Sequence, residues 1–161
     1  MSSSIHPGAC WPMKGRSGQI TLQLQYPVKV TAVTVDHVSS LLVKRAEGSS
    51  SAPKRIRVHG YPSCASSCHG MPFDFSRRIE IATFEYDLRG SSVQTFEISG
   101  GEESCSEETT SCSADLDSFQ QVRPKTEESV FRAVTFEILD NWGLADYTCL
   151  YRLRVHGDPI R

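Results

Sequence analysis

Features that mark several common function classes are missing from this sequence. The formal net charge of its 161 residues is -2, whereas a nucleic-acid-binding domain usually presents a strongly basic face. No apolar run approaches the roughly 20 residues that a helix needs to cross a bilayer. The stretch from Met1 to Pro7 lacks the basic and apolar regions of a secretory signal. We therefore expect no nucleic-acid partner, and a chain that is either cytosolic or the soluble end of a longer membrane protein.

The motifs of common enzyme classes are missing as well. A serine hydrolase of the nucleophile-elbow type needs G-x-S-x-G on a strand-to-helix turn. The nearest match, "GRSG" from Gly15 to Gly18, is one residue short and precedes a predicted strand. No glycine-rich phosphate loop follows a strand, and no H-E-x-x-H motif occurs. We therefore expect a protein without catalytic activity.

The six cysteines form neither paired C-x-x-C motifs nor the dense framework of a disulfide-rich miniprotein. Cys64, Cys68 and the adjacent His69 offer soft ligands for zinc, but no second ligand pair follows at a typical distance. Cys105 and Cys112 would complete a four-sulfur site only if two loops met. Loop cysteines or a local disulfide are the favoured interpretation of these four residues.

Alternating polarity, the pattern of a half-buried strand, dominates the sequence. In "QITLQLQ", Ile20, Leu22 and Leu24 alternate with polar residues, and "VKVTAVTVDHV" follows with many β-branched residues. The same pattern recurs in "KRIRVHG", "RIEIATFEYD", "SVQTFEI", "FRAVTFEILD" and "TCLYRLRVHG". No segment has the apolar spacing of a helix. The sequence predicts one all-β domain over 1–161, an antiparallel β-sandwich of jelly-roll or galactose-binding-like type with seven or eight strands and little helix.

Two segments interrupt this pattern and are predicted to be flexible insertions. Residues 62–78 contain the first cysteine cluster. Residues 99–129 are rich in Glu, Ser and Thr and cannot bury enough apolar surface to order themselves. A shorter stretch, "AEGSSSAPKR", has the composition of a linker, and its serines are candidates for capping or binding.

Cys10 and Cys149 form a further pair, and spacing alone does not decide whether they are bonded. Tyr147 and Tyr151 flank Cys149 two positions away on either side, so strand periodicity places the three side chains on one face. A bridge to Cys10 would close nearly the whole chain into a loop, worth about 4 to 5 kcal/mol in the chain-entropy model. Two unrelated buried thiols are the alternative.

Strand periodicity also assigns the remaining residues of this last predicted strand to two opposite faces. Leu153 and Val155 are expected to continue the face of Tyr151 into the core. Arg152 and Arg154 are then left on a solvated or subunit-facing side.

Four stretches of the sequence resemble the SUN domain in residues, order and spacing. They are "PGACWPMKG" (Pro7 to Gly15), "SSAPKRIRVHG" (Ser50 to Gly60), "NWG" (Asn141 to Gly143) and "YTCLYRLRVHGDP" (Tyr147 to Pro159). The last motif is long and specific. The resemblance extends from about Pro7 to Ile160 and is weakest in the two insertions.

The resemblance implies a β-sandwich of the perinuclear space, carried by proteins anchored in the inner nuclear membrane. Such domains trimerise on a coiled coil and bind the C-terminal tail of KASH proteins from the outer nuclear membrane. The resulting LINC complex links the nucleus to the cytoskeleton, so the implied activity is binding and not catalysis. The alternative is a carbohydrate-binding, lectin-like β-sandwich that uses Trp142, Tyr147 and Tyr151 as exposed aromatics.

The family's peptide-binding residues correspond here to His37, Ser51, Tyr147 and Tyr151. In the family they form the pocket for the last residues of the KASH tail, including its free carboxylate. Hydroxyl groups donate to carboxylate oxygens, and aromatic faces pack against prolines of an extended tail. Without the resemblance, a lone histidine at the end of a strand, as His37 is, would more often be a hydrogen-bonded structural group.

The family's cysteine pair corresponds to Cys10 and Cys149, so a disulfide becomes the preferred interpretation of these residues. An oxidising lumen would support it. Beside this pair the family has a loop that binds a monovalent cation resembling potassium. The matching ligands here are the backbone carbonyls of Ala9, which replaces the usual asparagine, and of Tyr151. No other cofactor is expected.

In the family, a β-hairpin lid that covers the KASH peptide lies upstream of the Pro-Gly-x-Cys motif, and the present sequence starts at that motif. We therefore expect an N-terminally truncated SUN-like domain without the lid, the coiled coil, the transmembrane span or the upstream cysteine that cross-links to KASH. Such a chain is expected to bind a KASH tail weakly or not at all by itself.

Overall fold

The computed structural model describes residues 6–39, 51–64, 70–98 and 130–160. None of these residues is helical, and they include no helix that could span a membrane. They form eight strands, so the all-β prediction is confirmed. The strands are β1 (Trp11–Lys14), β2 (Gly18–Asp36), β3 (Arg55–Tyr61), β4 (Ile79–Glu85), β5 (Val93–Glu97), β6 (Val130–Ile138), β7 (Tyr147–Leu150) and β8 (Arg152–Pro159).

The long strand β2 belongs to both halves of the sheet system. Its first half pairs with β6 and extends the order β4-β3-β6-β2, while its second half, Ala32 to Asp36, lies between β5 and β8. The register with β6 shifts between Gln23 and Val28. Pro27 lies in this interval, and it has no N–H to donate to a ladder. All of these pairings are antiparallel, as the alternating pattern predicts.

One core lies between the two halves of the sheet system. Its most buried members alternate along the strands, as period-2 packing requires. Phe84 of β4 and Phe96 of β5 stack with ring centroids 3.8 Å apart, which joins one half to the other. Each such side chain gains about 1.5 to 3 kcal/mol on burial. The core members at most 1% exposed include Val33, Val35, Ile56, Val58, Phe136 and Ile138.

The predicted last strand is divided into two. β7 pairs with β1, whereas β8 pairs with β2, and Tyr151 lies in neither ladder. Leu150 and Leu153 both pack into the main core, although strict alternation would place residues three apart on opposite faces. The phase of the strand therefore shifts across Tyr151. The run has no glycine or proline at this point, so the sequence pattern did not reveal the break.

The two arginines after this break are partly exposed and are paired with a carboxylate. The side chains of Arg152 and Arg154 are 30% and 39% exposed, and both point toward Asp36, whose side chain is fully buried. The expectation of a solvated or subunit-facing side did not include this ion cluster, because the partner is remote in the sequence.

The described ends of the segment 62–78 pack on the outer face of the sheet. Ser63 and Phe73 form an isolated bridge, and the Asp74 N–H donates to the Pro62 carbonyl over 3.1 Å. Phe73 is buried against Tyr61. Residues 65–69 and the whole predicted insertion 99–129 lie outside the described residues, so the flexibility of the two insertions stays a prediction.

The single asparagine of the sequence, Asn141, is a buried junction between segments. Its Nδ2 lies 2.7 Å from the Leu144 carbonyl and 3.0 Å from Thr148 Oγ1, and its Oδ1 accepts the Gly143 N–H over 2.9 Å. Thr148 in turn donates to the Gly15 carbonyl over 2.9 Å. One amide thus ties the turn after β6 to β7 and, through Thr148, to the loop between β1 and β2.

We expect Asn141→Ala to lower the free energy of unfolding by about 3 kcal/mol, because the buried Thr148 hydroxyl and part-buried backbone groups of the turn would lose a partner. Urea denaturation measures this difference. Gln94→Ala is the matched control: its amide also bonds backbone groups, but at exposed sites, where water can replace it. If the two variants lost the same free energy of unfolding, Asn141 would not act as a buried junction between segments.

Candidate functional site

A cavity of about 280 Å³ lies where β1 and β7 pair at one end of the sandwich. Three of the four predicted peptide-binding residues line it: Ser51, Tyr147 and Tyr151. Three further lining residues, Pro7, Gly8 and Pro12, were not predicted as site residues; the β1–β7 pairing places Pro12 there, and Pro7 and Gly8 lie in the turn before Cys10. The described residues of the lining are Pro7, Gly8, Cys10, Pro12, Ser51, Tyr147, Cys149 and Tyr151.

Backbone hydrogen bonds hold Ser51 in this wall. The Cys149 N–H donates to the Ser51 carbonyl over 2.8 Å, and the Trp142 N–H donates to the Ala52 carbonyl over 3.0 Å. Ser51 is only 1% exposed. The predicted linker stretch therefore ends in a segment that is fixed between β7 and the turn after β6.

The disulfide between Cys10 and Cys149 is part of the same wall, next to this segment. The two Cα atoms are 5.5 Å apart, although 139 positions separate the residues in sequence. The predicted pairing is confirmed. Around it, Cys149 and Tyr151 pack with Val38 in a small apolar cluster apart from the main core. The prediction that Tyr147, Cys149 and Tyr151 share a face agrees with their common place in the cavity wall.

His37 lies behind this wall and not in the lining. Its ring meets the Tyr151 ring edge-on, with centroids 4.9 Å apart and planes at 74°. Nδ1 lies 3.1 Å from the Val38 carbonyl oxygen, and since a carbonyl only accepts, Nδ1 holds the proton. Nε2 is buried and has no hydrogen-bond partner in the part of the chain that the structure describes. Burial lowers the pKa of His37, so the ring is neutral at pH 7 and supports Tyr151 as an aromatic surface.

None of the described residues in this lining has a charged side chain. Ser51, Tyr147 and Tyr151 are the hydroxyl-bearing residues among them, while the prolines, the disulfide and the aromatic rings are apolar. Such a wall suits an extended segment with apolar side chains. The described lining would hold an anionic group through hydroxyl or backbone N–H donors.

The loop that contains Ala9 is a tight turn at the mouth of the cavity. The Ala9 N–H donates to the His6 carbonyl over 3.0 Å, and Gly8 has a φ of 86°, which glycine adopts without strain. Among the described residues, no three His, Cys, Asp or Glu side chains cluster as metal ligands. Cys64 is disulfide-bonded, while Cys68, Cys105 and Cys112 lie outside the described residues. A cation beside Ala9 and Tyr151 would thus depend on carbonyl oxygens, and it stays a prediction.

Trp142 does not join the two tyrosines in the cavity. Its Nε1 donates to the Tyr86 carbonyl over 3.1 Å, and the Lys54 ammonium group lies 4.6 Å from the centre of its ring. The indole therefore fixes the turn after β6. The three aromatics proposed for a sugar site do not form one surface.

Comparison with known proteins gives a match over nearly the whole chain. A family model described as Sad1 / UNC-like C-terminal matches residues 1–108 and 106–159. SUN domain-containing protein 3 of Mus musculus is 32% identical over 159 residues, which are 99% of this chain and 39% of that protein.

Two further relatives are also named SUN domain-containing proteins. SUN domain-containing protein 2 of Mus musculus is 32% identical over 99% of this chain and 17% of its own length. SUN domain-containing protein 1 of Homo sapiens is 28% identical over 98% of this chain and 16% of its own length. The chain thus spans less than two fifths of each of these relatives.

Replacing His37 should make the protein less sensitive to acid. Because burial lowers the pKa of His37 in the fold, the unfolded chain binds this proton first, and the free energy of unfolding falls as the pH drops below about 6.5. We expect His37→Gln to remove up to about 2 kcal/mol of the loss between pH 7 and 5. Urea denaturation at the two pH values measures it.

The exposed His6 provides the control, since His6→Gln should keep the wild-type pH dependence. Some dependence will remain in His37→Gln, because burial also lowers the pKa of His59. If the unfolding free energy of His37→Gln falls between pH 7 and 5 as much as that of the wild type, then His37 is not a source of the acid sensitivity.

The bond between Cys10 and Cys149 should dominate the effect of reduction on stability. We expect the double variant Cys10→Ser, Cys149→Ser to lose about 4 kcal/mol of unfolding free energy, because the long loop is no longer closed in the unfolded chain. Non-reducing peptide mapping should recover the two cysteines joined. Recovery of both as alkylated free thiols from an oxidising compartment would count against the bond.

Proposed function

Because the chain belongs to the Sad1/UNC-like C-terminal family, the domain of SUN proteins, we propose that it is an interaction module that binds the C-terminal tail of a KASH protein. The domain then works by binding and not by catalysis. In this role it would take part in a LINC complex that links the nucleus to the cytoskeleton.

The observation that supports this proposal most directly is the joint placement of Ser51, Tyr147 and Tyr151 in one cavity wall. Ser51 is about a hundred positions from the two tyrosines in sequence, and the three residues correspond to pocket residues of the SUN family. His37, the fourth, backs Tyr151 from the protein side.

The chemistry of the wall fits the end of an extended peptide. Hydroxyl groups of Ser51, Tyr147 and Tyr151 can donate to the terminal carboxylate, and hydrogen bonds to an ionised group are about twice as strong as neutral ones. Pro7, Pro12 and the disulfide supply apolar contacts for the preceding residues. Since no cationic side chain is among the described residues of the lining, these donors are the ones that the described wall offers to the carboxylate.

The setting follows from the same proposal. The domain would lie in the perinuclear space as part of a protein anchored in the inner nuclear membrane, and would assemble as a homotrimer in that full-length protein. The carbonyls of Ala9 and Tyr151 would hold a potassium ion that stiffens the loop beside the cavity. The disulfide accords with such an oxidising compartment.

Titration of a labelled KASH tail onto the chain tests this proposal. We expect weak binding, with affinity for the free acid about 10- to 100-fold higher than for the C-terminal amide, because the amide loses charge-assisted hydrogen bonds. Tyr151→Phe should remove much of this preference by deleting one donor.

Tyr26→Phe is the matched control, since Tyr26 is 49% exposed and lies outside the cavity lining. Equal affinity for acid and amide, or no binding of the acid at millimolar concentration, would contradict the proposal. Submicromolar binding would show that the expectation of a weak complex is wrong.

A further inference from the structure

A buried carboxylate lies one residue before His37. Asp36 is the last residue of β2, and its side chain is fully buried. Arg154 Nη2 donates to its Oδ2, and Arg152 Nη1 lies 3.7 Å from the same oxygen. Oδ1 has no hydrogen-bond partner among the described residues. The two arginines therefore provide the charge compensation that a buried carboxylate requires.

This ion cluster lies at the end of the β2–β8 ladder. Asp36 is the register partner of Arg152, and Thr34 is the register partner of Arg154. The next residues outward, His37 and Tyr151, are in ring contact at 4.9 Å. The carboxylate is thus the last cross-strand contact before the cavity wall.

Tyr151 needs support of this kind, because it lies in the break between β7 and β8. The β1–β7 ladder ends at Leu150 and the β2–β8 ladder begins at Arg152, so no strand pairing includes the Tyr151 backbone. Its direction depends on where β8 begins, and β8 begins at Arg152. Exposed ion pairs rarely fix geometry, but a pair with one fully buried partner is screened much less by solvent.

We propose that Asp36 is a positioning residue for the cavity: by holding Arg152 and Arg154 it sets the start of β8 and so directs the Tyr151 side chain into the wall. Asp36 does not line the cavity, so it acts through Tyr151 and not on the ligand. This inference rests on the proposed function where tail binding is concerned, but the placement of Tyr151 is testable without any tail.

Asp36→Asn is the variant of choice. It keeps the shape and removes the charge, and the arginines are exposed enough for water to solvate them. Arg154→Ala is less suitable, because it leaves a buried charge with poorer compensation and can unfold the protein. Glu85→Gln is the matched control: it makes the same charge change at the exposed ion pair with Lys54, 3.8 Å long.

The first measurement is made on the free protein. In NMR spectra with labelled tyrosine, Asp36→Asn should shift the ring resonances of Tyr151, while Glu85→Gln should leave them at wild-type positions. Unchanged Tyr151 resonances in Asp36→Asn would overturn the inference, whatever the tail does. If Asp36→Asn shifts the Tyr151 resonances but the wild-type chain binds no tail, the inference about Asp36 is supported. Only the proposed function is then contradicted.

The second measurement is a double-mutant cycle with the KASH tail. Asp36→Asn should weaken the tail affinity about 2- to 25-fold, the usual range for residues that act at a distance from a ligand. In a Tyr151→Phe background the same substitution should have a much smaller effect, because its target hydroxyl is gone. Additive effects, or an unchanged affinity in Asp36→Asn, would overturn the positioning role.

Discussion

The hydrogen bonds around the Asn141 amide hold together short segments that the long sheet ladders do not join. Sheet ladders account for β2 to β6, but the end of the sandwich is made of short segments: the loop between β1 and β2 at Gly15, the turn after β6, and β7. A buried amide offers donors and an acceptor in fixed directions, and leaving its partners unmet is costly. This constraint places β7, and β7 places the disulfide and the two tyrosines.

The cavity wall is therefore a product of tertiary contacts and not of one element. Ser51 reaches it through a hydrogen bond from β7, Cys10 through the disulfide, and Tyr151 through the break in the last strand. Each element contributes one or two side chains. The described lining residues carry no charge, and the arginines of β8 are paired with Asp36.

Much of the fold could be predicted, because alternation of apolar and polar residues reports directly on strands with one buried face. Alternation placed Tyr147, Cys149 and Tyr151 on one face, and the structure agrees. It did not detect the break at Tyr151, which depends on two different pairing partners, β1 and β2.

The site was less accessible to sequence reasoning. Ser51 and the disulfide came from family resemblance, since no local pattern marks a contact between residues about a hundred positions apart. No sequence pattern indicated that Pro7 and Pro12 lie in the cavity wall. His37 was expected in the pocket, but the structure places it behind Tyr151, a distinction that only packing can make.

The disulfide has a mechanical consequence. A pull on the segment before Cys10, opposed by anything seated in the cavity, follows the shortest covalent route through the bond into β7. The long ladders of β2 with β6 and β8 lie off this load path. Tension across the domain would thus strain a covalent bond and the contacts of the wall, and would not peel the strands of the sandwich apart one hydrogen bond at a time.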